Sequence, residues 1–223
     1  MNIREFKKII SPILKASPDL AFSRGSVFVT PIRHTLRAIS FHPTSWPTGF
    51  QLTVTTGTIC GRTGKYPLGF GGVKAYWPKH NYWESDEPDF LESLFEAIEV
   101  ECLPKLRAAD NFEKLQALHE WYHDPTDAHF QSSMAFFHLM AGRFEEVDEI
   151  LTERTAFVQR EFLVKFIPEV AEKKPHTCAR LSKKRKREIL QHLHEREATA
   201  IRNFRLEKYW EPSPFPAEEQ GVV

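Results

Sequence analysis

Cysteine is scarce: Cys60, Cys102 and Cys178 are the only three in 223 residues. They are odd in number, lie far apart and form no C-x-x-C pair. That argues against a disulfide framework and for a reducing compartment. Long apolar runs are missing too. No stretch approaches the roughly 18 residues of a membrane span, and "MNIREFKKIISPILKASPDL" lacks the apolar centre of a signal peptide. Neither sign of charge is in excess. Lys plus Arg and Asp plus Glu number 30 each, for a formal net charge of zero, so global charge makes no case for a nucleic-acid or membrane partner. The expectation is a soluble, cytoplasmic protein.

What the chain does have is apolar bulk. Hydrophobic residues make up 41% and aromatics 13%, with 18 Phe, enough for a packed core. Ile3, Phe6, Ile9, Ile10, Ile13 and Leu14 predict one amphipathic helix, stopped by Ser17-Pro18-Asp19. The period then changes. "SVFVT" (26–30), "TLRAISF" (35–41) and "FQLTVTTGTI" (50–59) read as strands, and their short separations favour an antiparallel meander. Residues 60–86 are rich in Gly, Pro and aromatics, with a possible strand at Val73 to Trp77. From Glu87 the pattern is helical. One stripe, Phe90 to Cys102, should close near Pro104, and the next, Phe112 to Tyr122, at Asp124-Pro125. A helical hairpin turns at Gly142, and a last helix runs from Ser182 to about Tyr209. The expected fold class is α+β: an antiparallel sheet of three to five strands with an N-terminal helix and packed helices, then a helical C-terminal half. The expected units are an α+β domain (1–124), a helical extension (125–210) and a loose, Pro-rich, acidic tail (211–223).

"HEWYHDPTDAH" contains the H-E-x-x-H zinc signature. His119 and His123 lie one helical turn apart, Glu120 takes the place of the general base, and His129 falls where the extended metzincin signature has a third ligand. Two features count against it. Thr126 stands where that signature has a Gly, and Asp124-Pro125 should end the helix just as the second imidazole is reached. The expectation is no cofactor, with a zinc-dependent hydrolase as the alternative.

"TGTICGRTGKY" resembles a phosphate loop only superficially. Ile59 occupies the first Gly position and Tyr66 replaces the Mg²⁺-binding hydroxyl. Tyr66, Phe70, Tyr76, Trp77, Tyr82 and Trp83, interspersed with basic residues, instead suggest a partner-binding loop. "KKRKR" (Lys183, Lys184, Arg185, Lys186, Arg187) offers a nucleic-acid alternative. The plainer reading is a solvated helix start with Glu188, Glu195 and Glu197 as counter-charges. Cys60 reads as a buried, inert thiol.

The segments "FKKIISPILKA", "IRHTLRAISFHPTSWPTGFQLTVTTG" and "LPKLRAADNFEKLQALHEW" follow one another as in an uncharacterised bacterial family, domain of unknown function 4304, which residues 1–123 resemble. The resemblance implies no reaction and no catalytic residues. It is compatible with a small partner-binding or immunity-type module. The functional expectation is a non-enzymatic protein that binds another macromolecule, most simply a protein.

Overall fold

Pro12 has no N–H to donate and its ring would strike the carbonyl of Lys8, so no helix can run unbroken from Ile3 to Leu14. The computed structural model accordingly has two helices where one was expected, α1 (Ile3–Ile9) and α2 (Ser11–Ala16), broken at Ile10. It describes residues 1–61, 73–74, 83–122, 128–153, 167 and 177–222. α1 starts in a capping box. Asn2 Oδ1 accepts from the N–H groups of Arg4 and Glu5, and Glu5 returns a carboxylate to the Asn2 N–H at 2.8 Å.

The sheet is antiparallel, and its first four strands form a meander in chain order: β1 (Leu20–Ser23), β2 (Ser26–Val29), β3 (Thr35–Pro43) and β4 (Gly49–Thr58). Two short strands, β5 (Val73–Lys74) and β6 (Trp83–Glu84), pair with β4. Three strands fall where the β-branched runs lie. β1 was not foreseen. It is only four residues long, and its signal is the two-residue turn Arg24-Gly25, in which both residues take positive φ, the geometry that suits a tight hairpin.

Both faces of the sheet are covered. Val27, Ile39, Phe41, Phe50, Leu52 and Val54 point to one side, where Phe6, Ile10 and Ile13 of the N-terminal helices meet Leu94, Ile98 and Leu106. This second group comes from α3 (Phe90–Phe95), a π-helical turn (Glu96–Cys102) and α4 (Leu103–Ala108). Pro104 was expected to close this helix and does not. The wider π turn before it accommodates the missing donor, and the chain continues as α4. Phe28, Leu36, Ala38 and Ile59 point to the other side, against Ala200, Ile201, Phe204 and Leu206. The first three of these belong to α8 (Lys183–Phe204).

A third cluster joins Cys60 and Leu115 to α6 (Ala128–Ala141), α7 (Phe144–Glu153) and the middle of α8. Leu115 sits on α5 (Phe112–Tyr122), whose Leu118 packs against both this cluster and the first. The helical half therefore does not stand apart at residue 124: α5 and α6 both contact β4, and α8 covers a sheet face. Gly142 takes positive φ at the α6–α7 turn, as its spacing predicts. Buried Asp148 of α7 accepts from the N–H groups of Cys178 and Ala179, both at 2.9 Å, and so fixes the turn before α8.

The C-terminus overturns the expectation of a loose tail. α8 stops at Phe204 because Arg205 adopts the left-handed conformation, and a 3₁₀ turn (Glu207–Tyr209) follows instead of more α-helix. The chain then runs back along the strand side. The Ile32 N–H donates to the Tyr209 carbonyl at 2.9 Å, and the Glu211 N–H to the Ile32 carbonyl at 2.8 Å. Phe215 and Ala217 are fully buried, and the short helix α9 (Pro216–Glu219) closes the segment. Pro212, Pro214 and Pro216 stiffen this strap, which lowers the entropy lost on docking it. No helix among the described residues is long and apolar enough to cross a membrane.

Candidate functional site

The inward stripe of α8 runs Leu190, Leu193, Glu197, Ile201, Phe204. Helical spacing thus places a carboxylate where every neighbour on the stripe is apolar. Glu197 is 1% exposed, and burying a charge is costly unless it is paired and hydrogen-bonded. Its partner comes from the residue just ahead of β3. His34, 6% exposed, holds Nδ1 3.2 Å from both Glu197 oxygens. His34 Nε2 faces the strap, 3.0 Å from the Pro214 carbonyl and 3.0 Å from Ser213 Oγ.

A second imidazole completes the cluster. His194, one turn before Glu197, has Nδ1 3.6 Å from Glu197 and Nε2 2.9 Å from Glu218 of α9. Its ring stacks on Phe215 at 3.9 Å with 10° between planes, and the His34 ring lies 4.6 Å from the same Phe215. Glu218 also accepts from the Phe215 N–H at 2.7 Å. Burial pushes the His194 value down, but the hydrogen bonds and charges of Glu197 and Glu218 outweigh it. The imidazolium is held above the ordinary histidine range.

Ser213, His34 and Glu197 stand in the order hydroxyl, imidazole, carboxylate that acyl-transfer enzymes use. Proton bookkeeping decides what they do here. A carbonyl only accepts, so the Nε2 contact to Pro214 is a hydrogen bond only when Nε2 carries a proton. An Nε2 that carries a proton cannot take one from Ser213. In this arrangement the three residues form a clasp between α8, the start of β3 and the strap; Ser213 would become a nucleophile only if Pro214 moved away.

Beside the clasp lies a cleft of about 340 Å³. Arg33, His34 and the start of α5 form one side, and Ser213, Pro214, Pro216, Glu219 and Gln220 of the strap form the other. Apart from Glu219, its carboxylates and its arginine are already paired. Asp110 pairs with Lys114 at 2.9 Å, Glu113 with Arg143 at 3.5 Å and Arg33 with Glu211 at 3.4 Å.

The site residues expected from sequence are placed as follows. His119 and Glu120 lie on α5 and His129 on α6, with side chains outside the described set; His123 lies outside the described residues altogether. Among the described residues no group of three or more His, Cys, Asp or Glu could hold a metal ion. Tyr66, Phe70, Tyr76, Trp77 and Tyr82 also lie outside the described residues. Trp83 does not take the surface position assigned to it. It is buried in the sheet core with its ring stacked on Phe50 at 6.1 Å.

In the basic run, Lys183, Lys184 and Arg187 are exposed. Arg185 pairs with Glu188 at 3.2 Å. Lys186 donates to the Ala179 carbonyl at 3.0 Å and lies 4.4 Å over the Phe144 ring. Glu195 pairs with His192, and Glu197, expected as a surface counter-charge, is the buried acid of the clasp. All three thiols are buried. Burial pushes the Cys60 thiol far up and Cys102 up to about 12, values that leave almost no thiolate at neutral pH.

Sequence reasoning missed His34, Glu197, His194 and Glu218. The available signal was Glu197 itself, an acid in register with an apolar stripe. Comparison with protein-family models, curated proteins and solved structures finds no match to this chain.

Proposed function

We propose that this chain is a non-enzymatic, cytoplasmic protein-binding module whose contact surface is the aromatic segment between Cys60 and Trp83. The observation that carries the reading is how the two ends of that segment are held. Cys60 is fully buried at the end of β4, in the cluster built by α6 and α8. Trp83 is buried at the other end of the same strand, paired with Phe50. A chain rich in Tyr, Trp and Phe is thus tethered at both ends of a ten-residue strand of a sheet covered on both faces. Long segments mounted on rigid scaffolds carry binding sites out of proportion to their length, and aromatics dominate the energetics of protein contacts. The contact of His34 Nε2 with the Pro214 carbonyl is compatible with the same reading.

The test is copurification from the native host with the wild-type chain and with a variant carrying Tyr66→Ser, Phe70→Ser, Tyr76→Ser and Trp77→Ser. A protein retained by the first and lost by the second, with an unchanged unfolding midpoint and no effect of EDTA, is the expected result. A partner set that ignores all four changes overturns the reading. Zinc at one equivalent, lost with His119→Ala and His123→Ala, would favour the hydrolase instead.

A further inference from the structure

Two imidazoles make the clasp's side-chain hydrogen bonds to the strap, beside the Glu211–Ile32 backbone bond and the buried Phe215 and Ala217. His194 reaches Glu218 and stacks on Phe215, and His34 reaches Ser213 and Pro214. Glu197 lies beneath both rings. Arg33 pairs with Glu211 where the strap begins, but among the described residues no Lys or Arg reaches Glu218 or Glu197 in the clasp itself. From its geometry we infer that residues 211–222 are a pH-sensitive strap, docked while His194 is protonated and released as it loses its proton.

A doubly protonated His194 faces Glu197 as an ion pair through Nδ1 at 3.6 Å and donates to Glu218 through Nε2 at 2.9 Å. A neutral ring has one N–H, so one carboxylate then faces a lone pair. Whichever tautomer forms, the cost falls on a contact that fixes α9 or on the buried acid that His34 needs.

The surrounding charges do not replace the missing proton. On α8, Arg196 is turned away and donates to the Cys60 carbonyl at 2.6 Å. From the start of β3, the His34 ring lies 6.2 Å away and already serves Glu197. On the strap, Glu219 faces the cleft, and Arg33, Asp110 and Glu113 are paired as described.

The sign follows from the direction of the shift. In the folded chain His194 is held above the ordinary histidine value of 6.5. The stabilisation is therefore complete below about pH 6.5 and is lost as pH rises through the raised folded value. Release would remove one wall of the cleft of about 340 Å³ and bare the seat of Phe215 in the helical cluster.

Hydrogen exchange read by mass spectrometry on the full chain tests this, using protection factors so that the chemical exchange rate divides out. Between about pH 6 and about pH 8.5, on either side of the histidine range, amides of 211–222 should lose protection severalfold relative to those of β2 and β3. His194→Gln keeps a donor but cannot titrate and should flatten that dependence. Glu218→Gln, on the surface side of the contact, should weaken it, and His192→Gln, on an exposed neighbour, should leave it intact. Equal relative protection at both pH values in the wild type overturns the inference. So does an undiminished fall in both His194→Gln and Glu218→Gln.

Discussion

Glu197 holds His34 Nδ1 at 3.2 Å from each of its carboxylate oxygens, although 163 positions separate the two residues in the chain. Both are buried, and the pair ties α8 to the residue just ahead of β3. Breaking such a pair is costly because one polar group is left behind in a dry site, even where the intact pair adds little over apolar packing.

Glu197→Ala should therefore destabilise the fold by about 3 kcal/mol, the scale of a broken buried pair. Replacing both partners, His34→Leu with Glu197→Met, should cost less than the single change. Urea unfolding at fixed pH measures both, with the midpoint moving and the slope unchanged. A double variant worse than Glu197→Ala would show that the pair itself contributes more than its removal implies.

The strap provides a second measure. Phe215 is fully buried in the helical cluster, with its ring against those of His194 and His34, and truncating a buried phenylalanine costs about 3–5 kcal/mol. Phe215→Ala should lower the melting temperature by roughly 6–20 °C for a chain of this length. A loose tail would show no change at all, so a melting curve separates the two descriptions.

These residues also mark where sequence reasoning stops. β2, β3 and β4 are legible because Val, Ile, Phe and Thr recur with period 2 between turn clusters, and that pattern is local. α8 is legible from Ser182 and its apolar stripe. The strap is not, because composition averages over "EPSPFPAEEQ" and one phenylalanine among prolines and acids leaves the average polar. The clasp is illegible for a different reason. His34 and Glu197 share no spacing, and only tertiary packing brings them together. The helix breaks at Pro12 and the π turn before Pro104 were local and could have been read from the missing amide.

The basic run should divide in two. Lys186 donates to the Ala179 carbonyl and covers the Phe144 ring, so Lys186→Ala loses a charge-assisted hydrogen bond and a cation–π contact, together about 1–2 kcal/mol. Lys184 is exposed, and Lys184→Ala should stay within about 0.5 kcal/mol of the parent. Equal effects in urea unfolding would mean that the run acts only as a block of charge. Salt-dependent binding of duplex DNA, reduced by Lys183→Ala and Lys184→Ala together, would instead revive the nucleic-acid alternative.

At the opposite end of the pH scale, Arg107 donates to Asp19 through Nε at 2.7 Å and Nη2 at 2.9 Å, so that α4 is tied to the residue before β1. The Arg107 hydrogen bond holds the Asp19 carboxyl below its usual range. A lowered folded-state value makes this contribution present above the unfolded value of about 3.9 and lost as pH falls through the folded value. Both side chains are more than a third exposed, so solvent screening keeps the effect at or below about 1 kcal/mol even with bidentate geometry. Asp19→Asn preserves the backbone carbonyl that accepts from the Thr30 N–H and hydroxyl, and removes only the charge. Urea midpoints for the wild type and Asp19→Asn should therefore differ at neutral pH and converge near pH 2, roughly two units below the unfolded carboxylate. A gap that persists in acid would mean that the asparagine disturbs the shape of the Ser17–Leu20 turn and that the ion pair contributes nothing measurable.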